Sequence, residues 1–307
     1  MVVYIDYNLI GKKYFIQLKN KYPNIEFVTD LSRKTEIEVL IAMPKIVKNM
    51  NVNEYSNLKW IQYLMAGYDG INLKKFKENN IVFSSAQNVF SKSIAEDVFT
   101  KIFYFNRNVS HYIESKKNKI WSPIQEEFEL TNSTALILGV GSIGRELAKK
   151  FKVFDMFIIG YRKKHLNEKN FDKIIVMESE LNEALNIADY IIMALPLNDE
   201  TRFMFDYEKF KIMKRSALFI NVGRGETVKQ KDMILALKQS IIRGAGIDVV
   251  YPEPLPSDSE LWNLDNLYIT PHNASSSNHM ARRIYELIVM NLGRYLDNKT
   301  VKYIINN

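Results

Sequence analysis

Three places in this 307-residue sequence end a strand-like apolar run near a side chain that can do chemistry. "ALFINV" runs into Gly223, Arg224 and Gly225; "GAGID" ends in Asp248 and leads on to Glu253; "LYIT" is followed by Pro271 and His272. Ligands of open α/β sheets bind just beyond the carboxyl ends of the strands, so a guanidinium, a carboxylate and an imidazole would share one sheet edge. That trio suits hydride delivery to a 2-keto acid. Arg224 would hold the substrate carboxylate and polarise the carbonyl. His272 would protonate the new alkoxide, and Glu253 would orient its ring and keep it cationic. Each has a plainer reading, as a turn arginine, a loop carboxylate or a capping neighbour; their joint placement favours a site.

Hydride transfer needs a donor, and "TALILGVGSIGRELAKKF" provides a seat for one. Gly139 makes the tight turn after a strand, Gly141 lets backbone approach a pyrophosphate, and Gly144 permits close helix–strand packing. Ser142 and Ile143 open the helix, whose first amides would face the phosphate charge. The ribose-reading position lies about 20 residues further on, at Tyr161 and Arg162. A carboxylate there would accept the ribose hydroxyls, whereas the planar fork of arginine matches a 2′-phosphate. Arg162, with Lys163 and Lys164 beside it, therefore points to NADP(H), leaving NAD(H) possible; an exposed basic turn is the bland alternative. Val222, closing "ALFINV", completes the cofactor-binding candidates of this edge.

Elements able to position these groups alternate along the whole chain. Strand-like runs "VVYI", "IEFVT", "EVLIAM", "WIQYL" and "IVFSS" come first, with helical stretches between them. A helical span from Ser91 to Asn118 follows, with Ile94, Val98, Ile102, Phe105 and Val109 at helical spacing. The second series is "TALILG", "MFIIG", "KIIVM", "YIIMAL", "ALFINV", "GAGID" and "LYIT", and the tail forms a last amphipathic helix. The expected class is α/β: two Rossmann-like domains, doubly wound parallel sheets, with a cleft between them.

Composition removes other classes. Without cysteine there is no thiol nucleophile, thiolate metal site or disulfide framework. The lysines behind the net charge of +7 are scattered, which reads as a solvated surface and not a nucleic-acid stripe. No apolar run approaches a membrane span, and Asp6 comes too early for a secretory signal, so a cytoplasmic location is expected by default. No histidine pair has metal-ligand spacing; His111, His165 and His279 read as structural or surface residues, and no metal is expected.

These segments resemble the D-isomer-specific 2-hydroxyacid dehydrogenase family. "NVGRGETV" is similar to its Asn-x-x-Arg-Gly segment, "GIDVVYPEPLP" to its Asp-Val-x-x-x-Glu-Pro-Leu segment, and "ITPHNAS" to its Thr-Pro-His-x-Ala segment. The resemblance implies Arg224 as catalytic and substrate-binding arginine, Glu253 as partner of the acid/base His272, and Asp248 near the nicotinamide carboxamide. "ADYIIMALPLNDETRFMF" resembles the cofactor wall, with Leu195 and Pro196 beside the adenosine. "LKWIQYLMAGYDGI" resembles the substrate loop, whose amides at Ala66 and Gly67 would hold the carboxylate; Met65, Tyr68 and Trp121 are possible lining residues that core packing would explain equally well. It further implies a substrate domain, 1–93 completed by 275–307, a dinucleotide domain, 94–274, and a homodimer. Arg162 stands where NAD-preferring members carry aspartate, as in the glyoxylate/hydroxypyruvate reductase branch. Gly223 replaces a common alanine, a change expected to be harmless. The expected reaction is NADP(H)-dependent reduction of a small 2-keto acid to the D-2-hydroxy acid. Alternatives are an NAD(H)-linked D-2-hydroxyacid or 3-phosphoglycerate dehydrogenase, and a non-catalytic cofactor-sensing scaffold like the carboxy-terminal-binding corepressors.

Overall fold

The computed structural model describes residues 1–305 and divides into two compact units, Met1–Phe90 with Ser276–Asn307, and Ser91–Ser275. Each is built on a wholly parallel sheet. In the first unit the strands are β1 (Val2–Ile5), β2 (Glu26–Val28), β3 (Ile37–Ala42), β4 (Trp60–Tyr63) and β5 (Val82–Ser84), in the order β2-β1-β3-β4-β5. Helices α1 (Gly11–Lys21), α2 (Pro44–Asn49) and α3 (Leu73–Glu78) connect them. The last helix, α10 (Met280–Leu296), returns to this unit: Tyr285 stacks on Tyr14 of α1, and Tyr22 donates to the carbonyl of Val289 at 2.9 Å. A buried amide chain also ties it to β4, with Asn291 Nδ2 donating to Gln62 Oε1 at 2.7 Å.

The second unit opens with α4 (Ser91–Asn106) and α5 (Val109–Asn118). The sequence pattern predicts one continuous helix over this span, and the structure corrects it. Asn108 adopts the left-handed conformation, φ 45°, and breaks the helix. Asparagine tolerates that region better than most residues, so a polar residue between two apolar stripes becomes the stop.

Seven strands follow: β6 (Thr134–Leu138), β7 (Phe157–Tyr161), β8 (Lys173–Ile175), β9 (Tyr190–Met193), β10 (Leu218–Asn221), β11 (Gly244–Ile247) and β12 (Leu267–Ile269). They lie in the order β12-β11-β10-β9-β6-β7-β8, with α6 (Ser142–Phe151), α7 (Glu178–Ile187), α8 (Tyr207–Ile212) and α9 (Gln230–Lys238) among the connections. Alternation along the central strands feeds two cores. Leu136, Leu138, Ile191, Met193 and Phe219 pack with α7, α8 and α9, while Ala135, Ile137, Ile192 and Ile220 pack with α4 and α6. Each such large aliphatic side chain contributes about 1.5–3 kcal/mol when fully buried. Chain order reverses between β6 and β9, which opens a crevice at their carboxyl ends. No helix among the described residues is long and apolar enough to cross a membrane.

Candidate active site

The glycine loop lies at this switch point. Gly139 has φ +113°, and a Cβ there would stand 2.7 Å from the carbonyl oxygen of Ala194. A Cβ on Gly144 would stand 2.2 Å from the Gly139 carbonyl oxygen, so both positions exclude a side chain. Gly141 differs: nothing lies within 4 Å of its would-be Cβ, which leaves open space in front of the first turn of α6. No side chain caps that turn, and it carries no acidic residue, so the amides of Ser142 and Ile143 are offered to an anion. These residues fit a dinucleotide pyrophosphate.

Leu195 and Pro196 follow β9, with the Pro196 carbonyl fixed by the Thr201 hydroxyl at 2.6 Å. Gly223 presses on the same segment from the other side; a Cβ there would lie 2.7 Å from the carbonyl oxygen of Leu195. The alanine common at this position is therefore not interchangeable in this chain, because backbone would have to move to admit the methyl group. Val222 is buried and donates its amide to the Met193 carbonyl.

At the β7–β8 edge, Tyr161 ends β7 half-buried, and burial pushes its phenol pKa up. Arg162 does not stand alone. Its Nη1 donates to Glu168 Oε1 at 2.6 Å, and Arg145, one residue after the last glycine of the loop, grips the same carboxylate with Nε at 2.9 Å and Nη2 at 2.7 Å. Hydrogen bonding from Arg145, aided by the charge of both guanidinia, holds Glu168 below the usual carboxylate range despite partial burial. Lys163 pairs with Glu200 at 2.6 Å on the exposed surface. Sequence reading missed Glu168 and Arg145 because the loop that folds back carries no pattern. Arg145 alone had a signal, its place in the first turn after the glycines.

The catalytic candidates converge at the other edge. Asn221, ending β10, shapes the arginine loop twice: its Oδ1 accepts the Gly223 amide at 3.0 Å and its Nδ2 donates to the Arg224 carbonyl at 3.1 Å. A Cβ on Gly225 would lie 2.2 Å from the backbone of Val250, so the arginine loop touches the loop that carries Glu253. Glu253 Oε1 accepts the Val250 amide at 3.2 Å, and Oε2 meets His272 Nδ1 at 2.8 Å. With Nδ1 so held, Nε2 is the ring nitrogen left to face a reactant. His272 itself has φ +51°, a left-handed turn pinned by its amide to the Asp248 carbonyl at 2.8 Å. Beside the pair lies a cavity of about 730 Å³, bounded by Asp248, Leu255, Trp262 and Thr270 as well as Glu253 and His272. Trp262 and Leu255 were not foreseen, since only the folded loop after β11 brings them there.

In the other unit, Ala66 and Gly67 follow β4, partly exposed, in a loop whose Met65 carbonyl accepts the Ala86 amide. Core packing does not explain two of the possible lining residues: Trp121 is 97% exposed, and Tyr68 is exposed as well. Met65 does pack against the core of its unit.

Two parallel sheets, a glycine loop at the switch point of one, and a carboxylate–imidazole pair beyond the carboxyl ends of strands in that same sheet define a dinucleotide-binding oxidoreductase of the doubly wound class. Residues 99–274 match the family model described as "D-isomer specific 2-hydroxyacid dehydrogenase, NAD binding domain". That is more than half the chain, and the protein belongs to the D-isomer-specific 2-hydroxyacid dehydrogenase family. It is 31% identical over 271 residues to the glyoxylate reductase of Korarchaeum cryptofilum, covering 86% of this chain and 77% of the relative. It is 32% identical over 280 residues to a probable 2-ketogluconate reductase of Dictyostelium discoideum, covering 89% and 83%. A solved structure of a D-isomer specific 2-hydroxyacid dehydrogenase family protein from Aeromonas salmonicida superposes with a TM-score of 0.85 at 27% identity, covering 99% of this chain and 98% of that one.

Proposed function

We propose that this protein reduces a small 2-keto acid of the glyoxylate or hydroxypyruvate type to the D-2-hydroxy acid, with NADP(H) as preferred cofactor. The observation that carries the reading is the 2.8 Å contact between His272 Nδ1 and Glu253 beside a cavity of about 730 Å³. The bound nucleotide supplies the hydride. Glu253 fixes the ring so that Nε2 carries the proton toward the nascent alkoxide, and the ring's left-handed backbone turn holds that aim. Arg224 pairs with the substrate carboxylate and polarises the carbonyl as charge develops on its oxygen. The name of the Korarchaeum relative supports glyoxylate as the first substrate to try.

Cofactor choice rests on Arg162 and Arg145, two guanidinia that meet on one carboxylate, as they would on a 2′-phosphate. Because Glu168 pairs with both, NAD(H) is admitted with neither guanidinium left without an ionic partner. The test is a panel of 2-keto acids assayed with NADPH and with NADH. Reduction of none of them would remove the functional reading, and equal kcat/KM for the two nucleotides would remove the preference.

A homodimer is part of the same reading. Ile113, Ile120 and Trp121 are exposed in and just after α5, an apolar strip that a second copy of the chain would cover. Light scattering should return about twice the 35.9 kDa of one chain, and Trp121→Glu should lower it toward one.

A further inference from the structure

Beneath the His272 turn a lysine is fully buried. Lys101, on α4, pairs with Asp97 one turn earlier and donates to Thr270 Oγ1 at 2.8 Å. A hydroxyl that accepts from an ammonium group points its own proton elsewhere, here to Asp248 Oδ1 at 2.6 Å. The Asp248 carboxylate in turn accepts the amides of Asn273 and Ala274, each at 3.0 Å, while its backbone carbonyl accepts the amide of His272. One continuous polar chain thus runs from α4 to the loop that carries the imidazole.

The fold makes room for it. A Cβ on Gly246 would lie 2.7 Å from Lys101 Cβ, and one on Gly244 would lie 2.8 Å from the Phe105 ring. Lys101 and Phe105 are one helical turn apart, and the two glycines share a face of β11. The "GAG" of the strand is shaped to the helix that brings the lysine.

Burial works against the pair's charges. Burial, the largest influence on Asp97, raises its pKa against the lowering effect of Lys101. A carboxylate whose folded pKa is raised adds stability below its unfolded value and loses it as pH rises through the folded one, so near neutrality its ionised form is a net cost. Apolar replacements of buried ion pairs are often neutral or stabilising.

We propose that Asp97 and Lys101 are positioning residues: they fix the Thr270 hydroxyl, through it the Asp248 carboxylate, and so the left-handed turn that presents His272 to Glu253. The inference rests on His272 being the acid of the reductase, and its test separates the two. In the double variant Asp97→Leu, Lys101→Met, Tm should match or exceed wild type. Amide exchange across residues 267–275 should run about fivefold faster or more, as local opening becomes easier. With glyoxylate and NADPH, kcat should fall about tenfold while the KM for NADPH moves far less, because the glycine loop that seats the nucleotide is untouched. Thr270→Val cuts the same chain one link later and should give the same exchange and the same kcat-to-KM split; it decides the matter if the double variant fails to fold. Wild-type exchange and wild-type kcat in either folded variant overturn the proposal. Should the wild type reduce no 2-keto acid, the exchange data still judge the network, and it is the functional reading that falls.

Discussion

At the β11–β12 edge of the large sheet, charged side chains are held from beneath; at the β7–β8 edge they are held by one another. Asp248 is buried and spends its carboxylate on Thr270 and two backbone amides, and the His272 backbone is locked in a left-handed turn above it. Arg145, on α6, meets Arg162 and Glu168, on the loop after β7, only through side-chain tips. The first arrangement tolerates no drift, as proton transfer needs atoms placed within hydrogen-bond reach. The second can open, as it must if a phosphate is to replace a carboxylate. Rigidity and exchangeability are thus divided between two ends of one sheet.

The rigid edge should break hardest. His272→Ala should lower kcat by about 10²–10⁴-fold, the range for a positioned acid. Nucleotide affinity by fluorescence titration should stay unchanged, because no part of the glycine loop is touched. Unaltered turnover would remove His272 from the chemistry. Gly225→Ala comes next. Its methyl would meet Val250 backbone at 2.2 Å and force the arginine loop off the Glu253 loop. A displacement of that order should cost about a hundredfold in kcat/KM for the keto acid. A small loss would mean that the contact between the loops is not what sets Arg224.

Much of this rigid edge is legible in the sequence, because Asn221, Arg224, Asp248, Glu253 and His272 sit at fixed offsets from strand ends, and strand ends are where apolar runs stop. The twelve strands among the described residues are legible for the same reason. What supports the edge is not. Lys101 lies in a helical pattern between Val98 and Ile102 and reads as a solvated face, until two glycines on a distant strand turn that face inward. The stop at Asn108 was hidden as well, since one left-handed residue leaves the periodicity on either side intact.

The exchangeable edge should respond in nucleotide preference and leave the chemistry alone. Arg162→Asp removes the proposed phosphate partner and sets a second carboxylate beside Glu168. The kcat/KM for NADPH should fall about tenfold or more, the scale of one lost charge-assisted pair, with NADH equal or better. If both nucleotides lose equally, Arg162 supports the loop and does not read the ribose.

Glu168→Gln is the finer probe of the same edge. On the proposed NADP(H) reading the carboxylate would compete with a 2′-phosphate for Arg162 and Arg145, and a neutral amide would compete less, so the KM for NADPH should fall about threefold while that for NADH stays put. The pH dependence carries a sign. Glu168 has a lowered pKa, so its hold on the arginines is in place above the ordinary carboxylate value and is lost only as pH falls through the lowered one. Between pH 7 and 8, where a 2′-phosphate is also largely ionised, the ratio of variant to wild type should therefore be flat. A KM for NADPH that rises would reverse the roles: Glu168 would then be the residue that gathers the two guanidinia for the phosphate, and the adenosine edge would be as preorganised as the catalytic one.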